Sequence, residues 1–440
     1  MADATSTNVC LTVQHSVAML DQSTKHVGAT NVGRSYYFAL AAAFVLALLL
    51  RVGMTATFQG PNSPPDYDAN PDQADYELFA FNLSQGNGYC LSPGTPSACR
   101  PPGTALTLLP VYAAVGRSFF CGRLWMCLLS AATCVATAEV ARHSFGPAAA
   151  VLSAFWLSVY PGHFYYAMHF LSEVPFCLLL TVACGFTIPY LKRGGWALGT
   201  VAGVLWGLAV LTRPQILIMA PLGLLFALLT PASIRWTTLG RALYTTALVG
   251  IVLAPWIARN AVVMGKPTVC TIVGGYGFWL GNNELVADSP KYWGTCAVIS
   301  DLVDVEHPLS GSEVEREELA WQYGKQFITS HPDRMPLLCL GKLWRFVSPL
   351  SDTPNVAVFW SFAIAWSVTL PLAVFGMIAA FFHEPSSAAV LLLPVLAMLA
   401  TTVVFYGLDR YRDSVSPVFV IFACYGVVDL WKRGLIAISK

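Results

Sequence analysis

Long apolar runs separated by short polar ones dominate the chain. The first, from Tyr36 through Leu50 to Met54, is about the 20 residues needed to cross a hydrocarbon layer, and comparable runs recur to the C-terminus. Basic residues punctuate them: Lys25 and Arg34, Arg142 and His143, Lys192 and Arg193, Arg235 and Arg241, Lys432 and Arg433. Short cytoplasmic loops are enriched in Lys and Arg, so placing these clusters on one side requires an even number of crossings between them. That parity sets spans near 36–56, 123–141, 148–166, 174–191, 196–212, 215–230, 242–258, 356–381, 388–406 and 414–431. The expectation is an all-α polytopic membrane protein of about ten transmembrane helices, both termini cytoplasmic. Pro101–Gly116 is short and holds Pro110; it is predicted to lie in or dip into the outer interface.

The same parity gathers four polar segments on the extracytoplasmic side: 57–122, His163–Glu173, Arg259–Asp352 and Leu408–Asp413. The chain then reads as a polar cytoplasmic tail (1–35), an N-terminal transmembrane module (36–258) with its outer loop, a long extracytoplasmic loop (259–352) and C-terminal helices (353–440). In the long loop, Ser312-Glu313-Val314-Glu315 fits a capping box. Leu319, Tyr323 and Phe327 follow at four-residue spacing up to His331-Pro332, which predicts an amphipathic helix on the bundle's outer surface.

Composition narrows the class further. With 56% hydrophobic and 11% charged residues in 440 and a mean hydropathy of +0.59, a soluble domain is excluded. A net charge of +1 supplies no basic stripe for nucleic acid. The polar first 34 residues lack the apolar core of a signal peptide. Twelve Cys scatter through apolar runs without metal spacing and read as small buried hydrophobes. Cys90 and Cys99 flank a short loop and could pair if that loop is extracytoplasmic.

Two groups carry candidate chemistry. Asp66, Asp68, Asp72, Asp75 and Glu77 crowd the first outer loop, and Glu173 opens the fourth span. A carboxylate at the membrane surface can be desolvated and aimed at a hydroxyl as general base, although an acidic run is more often a solvated face. Asp75 and Glu77 also suit the first turns of a helix running through Leu83, inside which the sequon Asn82-Leu83-Ser84 reads as chance. The second group is Arg100, Arg213, Arg259, Arg410 and Arg412. Each alone fits snorkelling to headgroups; as a set on the outer side, against the positive-inside bias, they favour an anionic partner that the planar guanidinium grips with two bonds.

These residues resemble the lipid-dependent glycosyltransferases of the GT-C superfamily, close to the family 39 protein mannosyltransferase-like and aminoarabinose-transferase-like members. The resemblance runs over about 36–430. It rests on Asp72-Gln73-Ala74-Asp75-Tyr76, Phe81-Asn82-Leu83, Gly86-Asn87-Gly88-Tyr89, Arg100-Pro101-Pro102-Gly103, Gly116-Arg117-Ser118 with Arg123-Leu124, and Leu171-Ser172-Glu173. Leu211-Thr212-Arg213-Pro214, Pro255-Trp256 with Arg259-Asn260, and Gly275-Tyr276 with Trp279 and Gly281-Asn282-Asn283 complete it. Many relatives carry Asp-Glu where this chain has Asp72-Gln73, so a paired acid is absent at that position.

The resemblance implies an inverting glycosyltransferase that moves a sugar from a polyprenyl-phosphate donor to an acceptor hydroxyl on a glycan, lipid or protein. It implies the bacterial inner membrane with the active site on the extracytoplasmic side. Asp72 is then the base, and Glu173 orients it or shares a divalent cation with it, Mg²⁺ or Mn²⁺ suiting two acids better than zinc. Arg100, Arg213, Arg259, Arg412 and Tyr76 form the donor-binding set. Tyr276, Trp279, Asn282 and Asn283 lie with the acceptor or on a lid, and membrane-interface anchoring is an equal reading of the aromatics. A transporter or flippase, or a polymerase or ligase of lipid-linked glycans, is the rival. Coupled transport needs ionisable groups inside the spans, and the spans hold few: Glu139 and Asp429 sit near cytoplasmic ends.

Overall fold

The computed structural model describes residues 33–60, 62–66, 71–304, 307–350 and 355–438. Residues 1–32 with Lys25, and Asp68 and Asp352, lie outside the described residues. Two units meet at Ala42–Ala43, inside the first helix. In the first, Tyr36 and Tyr37 pack edge to face with ring centroids 5.5 Å apart; the site and its supports lie in the second.

In chain order the helices begin with α1 (Arg34–Phe58) and α2 (Pro71–Ser84), followed by a hairpin of β1 (Cys90–Ser92) and β2 (Thr95–Pro96). Next come α3 (Gly103–Val115), α4 (Phe119–Phe145), α5 (Pro147–Val159), α6 (Pro161–Phe164), α7 (Glu173–Arg193) and α8 (Trp196–Thr212). After a 3₁₀ turn at Pro214–Ile218 follow α9 (Met219–Leu229) and α10 (Ala232–Val263). The long loop holds α11 (Gly274–Leu280), α12 (Glu284–Asp288), α13 (Glu313–Ser330) and α14 (Met335–Val347). The chain ends with α15 (Val356–His383), α16 (Pro385–Val404), α17 (Asp409–Asp413) and α18 (Ser416–Ile438).

Six of these, α1, α4, α7, α10, α15 and α16, are long and apolar enough to cross a membrane, and α3, α5, α8 and Pro214–Leu229 are shorter apolar helices. The chain is a multi-pass membrane protein, and each of the ten expected spans contains a helix. Two expected spans are broken; 215–230 divides into the 3₁₀ turn at Pro214–Ile218 and α9, 11 residues long. The run 148–166 stops at Val159 because Pro161 cannot continue α5, leaving 13 residues, roughly 20 Å of the 30 Å hydrocarbon thickness. Pro101–Gly116 forms α3, also 13 residues and too short to cross.

Small residues set the packing. α15 and α18 run against each other where a Cβ on Gly376 would collide with the Phe422 carbonyl, and on Gly207 a Cβ would meet Val252 Cβ at 2.6 Å where α8 crosses α10. Such close approach replaces the hydrophobic drive that lipid does not supply. The apolar pattern hides buried charges, among them Arg51 in α1. Its Nε donates to Ser130 Oγ at 2.7 Å and its Nη1 to Ser158 O at 3.0 Å, one of the carbonyls that the end of α5 leaves without a helical partner. Arg51 therefore pins α1 to α4 and α5.

Candidate active site

The site is assembled from helix ends. Asp72 lies in the first turn of α2, where the helix dipole favours a carboxylate. Gln73, Ala74, Tyr76 and Glu77 bury the rest of that turn. Arg100 precedes two prolines, which disfavour a helical backbone at that position. Gly103 then starts α3 so close to the C-terminus of α8 that a Cβ would collide with Thr212 Oγ1 and the Leu211 carbonyl. That contact, which glycine alone permits, brings the Arg100 segment to the same cavity as Arg213. Glu173 opens α7, Arg213-Pro214 closes α8, and Arg410 sits on the single turn α17.

These ends line a cavity of 390 Å³ that includes Asp72, Tyr76, Arg100, Ser172, Arg213, Tyr406, Arg410 and Tyr411. Asp72 is held on both oxygens: Arg100 Nη2 reaches Oδ1 at 2.8 Å and Arg410 Nη1 reaches Oδ2 at 3.2 Å. Arg410 also donates Nε to Glu173 Oε1 at 2.6 Å, and Arg213 Nη1 lies 3.1 Å from the same oxygen. Arg410 thus stands between the two carboxylates. Arg100 binds Asp75 Oδ2 through Nε and Nη2, both at 2.8 Å.

Burial pushes the Asp72 carboxyl up, but Arg100 and Arg410 outweigh it and hold it below the usual carboxylate range. Asp75 goes the other way: burial dominates and Arg100 does not offset it. Burial raises the Tyr76 hydroxyl to about 12, so it stays a neutral donor. Burial lowers Arg100, yet Asp72, Tyr76 and Asp75 hold its guanidinium above its ordinary value; Glu173 and Asp72 do the same for Arg410. Arg213, 5% exposed, keeps Nε buried without a hydrogen-bond partner, an unusual debt for a buried charge.

The expected site residues divide clearly. Asp72, Glu173, Arg100, Arg213 and Tyr76 come together. Arg412 does not: it turns away, donating Nη1 to Ser348 O and covering the Trp366 ring at 4.8 Å. Arg259 holds the hairpin instead, donating to Tyr89 O at 3.0 Å and Ser97 O at 2.9 Å, and lines a separate apolar cavity of 550 Å³ with Tyr89 and Trp256. Trp279 is buried against Tyr323, centroids 5.0 Å apart. Asn282 donates to Phe278 O and Val404 O and accepts from Lys342 Nζ at 2.8 Å; Asn283 caps α12 through Val286 N. Neither Asn faces the cavity, and Tyr276 lies outside its wall, which Gly274 and Gly277 form instead.

Three further expectations resolve here. Cys90 and Cys99 are free thiols, Cys90 Sγ donating to Asn87 O at 3.4 Å. Glu77 is buried in a two-bond pair with Arg117 at 2.7 and 2.9 Å, which accounts for it structurally. The Asn82 amide is consumed by Cys90 O and Leu91 O at 2.9 and 3.1 Å, so the sequon is a hairpin tether. Among the described residues no three Asp, Glu, His or Cys side chains converge as metal ligands. Asp72 and Glu173 already have the Arg410 guanidinium between them, so the residues present do not fit a shared divalent cation.

Residues 99–258 match the profile of the dolichyl-phosphate-mannose-protein mannosyltransferase family. No curated protein sequence matches the chain. The fold is similar to the oligosaccharyltransferase of Archaeoglobus fulgidus, at 15% identity and a TM-score of 0.50 in the apo form, covering 90% of this chain and 51% of that one. The zinc and sulfate complex gives 14%, 0.51, 90% and 49%. The chain thus spans about half the length of that enzyme. ArnT from Cupriavidus metallidurans bound to undecaprenyl phosphate aligns at 13% identity over 90% of this chain and 78% of that one, with a TM-score of 0.43. At these identities the oligosaccharyltransferase likeness is one of fold, and the GT-C membrane fold expected from the sequence is borne out.

Proposed function

We propose that this chain, which has the GT-C membrane fold and is family 39-like over residues 99–258, is an inverting glycosyltransferase using a polyprenyl-phosphate sugar. The observation that carries the reading is Asp72 clamped between Arg100 and Arg410 inside a cavity. In this mechanism the donor phosphate draws Arg100 and Arg410 toward itself, and Arg213 Nε supplies a further donor. Asp72, released from its pairs, takes the proton of the acceptor hydroxyl as that oxygen attacks the anomeric carbon. The new C–O bond forms opposite the breaking bond to the phosphate oxygen, so configuration inverts and polyprenyl phosphate leaves with its extra negative charge. The three guanidiniums stabilise that charge, the kind of contribution that dominates such sites. Glu173 keeps the Nε end of Arg410 and the Nη1 of Arg213 while the Nη1 end of Arg410 turns from Asp72 to the phosphate.

The acceptor is a hydroxyl of a glycan, lipid or protein, and the outer side of a bacterial inner membrane remains the proposed location, with both termini inside. Residues 36–258 act as the catalytic module and 353–440 as supporting helices that also deliver Arg410. No step passes through a cation, so transfer is expected to persist in EDTA.

Binding of radiolabelled polyprenyl phosphate to the purified protein in detergent tests the anion role directly. Arg100→Ala with Arg410→Ala is expected to abolish saturable binding, while Asp72→Asn retains it. Equal binding by all three proteins overturns the assignment of the guanidiniums to phosphate.

A further inference from the structure

The exposed face of α14 carries no polar side chain. Leu337, Leu340, Leu343, Trp344 and Val347 recur at three- and four-residue spacing and are 61, 59, 36, 52 and 38% exposed. At 3.6 residues per turn they fall within about 120° of the helix circumference. Leu338, Gly341, Lys342 and Phe346 on the opposite side are buried. The preceding helix is an internal control: every exposed residue of α13, Glu315, Glu318, Gln322 and Lys325 among them, is polar. Two consecutive helices of one loop therefore present opposite surfaces, and a continuous apolar face of this kind marks an interaction site.

What covers the face is indicated by what it joins. Along α15 the exposed residues Val356, Trp360, Ile364 and Val368 repeat every four positions, the lipid side of a spanning helix. On the buried side of α15, Trp366 donates Nε1 to Val347 O at 2.7 Å. Trp366 lies ten residues into α15, about 15 Å along it. The end of α14 is thus docked alongside a membrane-spanning helix rather than above it.

We propose that α14 is an in-plane interfacial helix with its apolar face in the acyl chains of the leaflet beside the cavity. The idea is independent of the transfer chemistry. Its consequence reaches the cavity through two links: Lys342 Nζ donates to Asn282 Oδ1 at 2.8 Å and Val403 O at 3.2 Å, and Arg412 Nη1 donates to Ser348 O. These hold both ends of the segment 403–412, which carries Tyr406 and Arg410, so the lipid-seated helix sets the height of that cavity wall at the bilayer surface.

The test uses full-length protein in phosphatidylcholine vesicles, with an environment-sensitive fluorescent amino acid incorporated at Leu340, at Leu337 as an independent second site, or at Gln322 on α13. Nitroxide placed near the headgroup end of the acyl chain is expected to quench positions 340 and 337 strongly and 322 weakly. Aqueous iodide is expected to quench 322 severalfold more than the other two. Iodide reaching 340 and 337 as readily as 322 overturns the proposal, and so does shielding of both positions from both quenchers, which would place a protein partner on this face.

Discussion

Asp72 has two guanidiniums holding its charge, and the pH profile of the proposed transfer should report both. A base must be deprotonated, and Asp72 is held below its usual carboxylate range, so the acid limb of kcat/KM is expected below about pH 4. In the donor complex the phosphate competes for Arg100 and Arg410 and adds negative charge, which raises the Asp72 pKa. The acid limb of kcat should therefore lie at higher pH than that of kcat/KM; coincident limbs in paired pH profiles would count against release of Asp72 by the donor. Arg410→Gln removes one restraining cation and leaves Glu173 facing Asp72. We expect a loss in kcat of about 10²–10³-fold together with an upward move of the kcat/KM acid limb, read from the same profiles. At this scale the sequence was legible for Asp72, Glu173, Arg100, Arg213 and Tyr76. It was not for Arg410: residues 410 and 412 lie on one short turn on opposite sides, and without the rotational phase of α17 nothing distinguishes the arginine facing the cavity from the one facing Trp366.

Helix signals read well where caps and prolines state them. The capping box is present, Glu315 N bonding Ser312 Oγ at 3.3 Å and Glu315 Oε2 accepting from Ser312 N at 2.7 Å. Ser312→Ala should cost about 1 kcal/mol of local helix stability, seen as faster amide exchange confined to the first turns of α13; exchange unchanged there would remove the cap's role. The buried stripe differs from the expected one. It runs Glu317, Ala320, Gly324, Phe327 because Glu317 Oε1 accepts from Gly275 N and Trp321 Nε1, both at 3.3 Å, so a charged residue occupies an inward position that hydrophobicity alone rejects. Lys342 on α14 was equally hidden. Burial lowers its amine to about 8, whereas unfolded it titrates near 10.4. Folding releases a proton between those values, so stability from this group rises as pH increases through that window. Thermal unfolding of wild type and Lys342→Met between pH 8 and 10 should show the difference moving in favour of wild type; a constant difference would mean the amine is not depressed.

For the whole molecule, the apolar runs and the Lys and Arg between them placed a helix in every expected span, since lipid imposes length and internal hydrogen bonding on each. What the pattern does not encode is how the outer segments fold back on the bundle. Arg259, Asn282 and Trp279 stand in family-like positions yet serve as struts, because their partners, the hairpin carbonyls, Lys342 and Tyr323, are far away in sequence; Asn283 is a local cap of α12. The central claim is that this bundle transfers sugar from a lipid phosphate with Asp72 as base. It is tested most directly by radiolabelled sugar transfer from polyprenyl-phosphate donors in membranes carrying wild type or Asp72→Asn at equal levels of inserted protein. The account predicts transfer by wild type and a loss of about 10²–10⁴-fold in the variant. Equal transfer by the two proteins, or none by wild type with any donor, would contradict it.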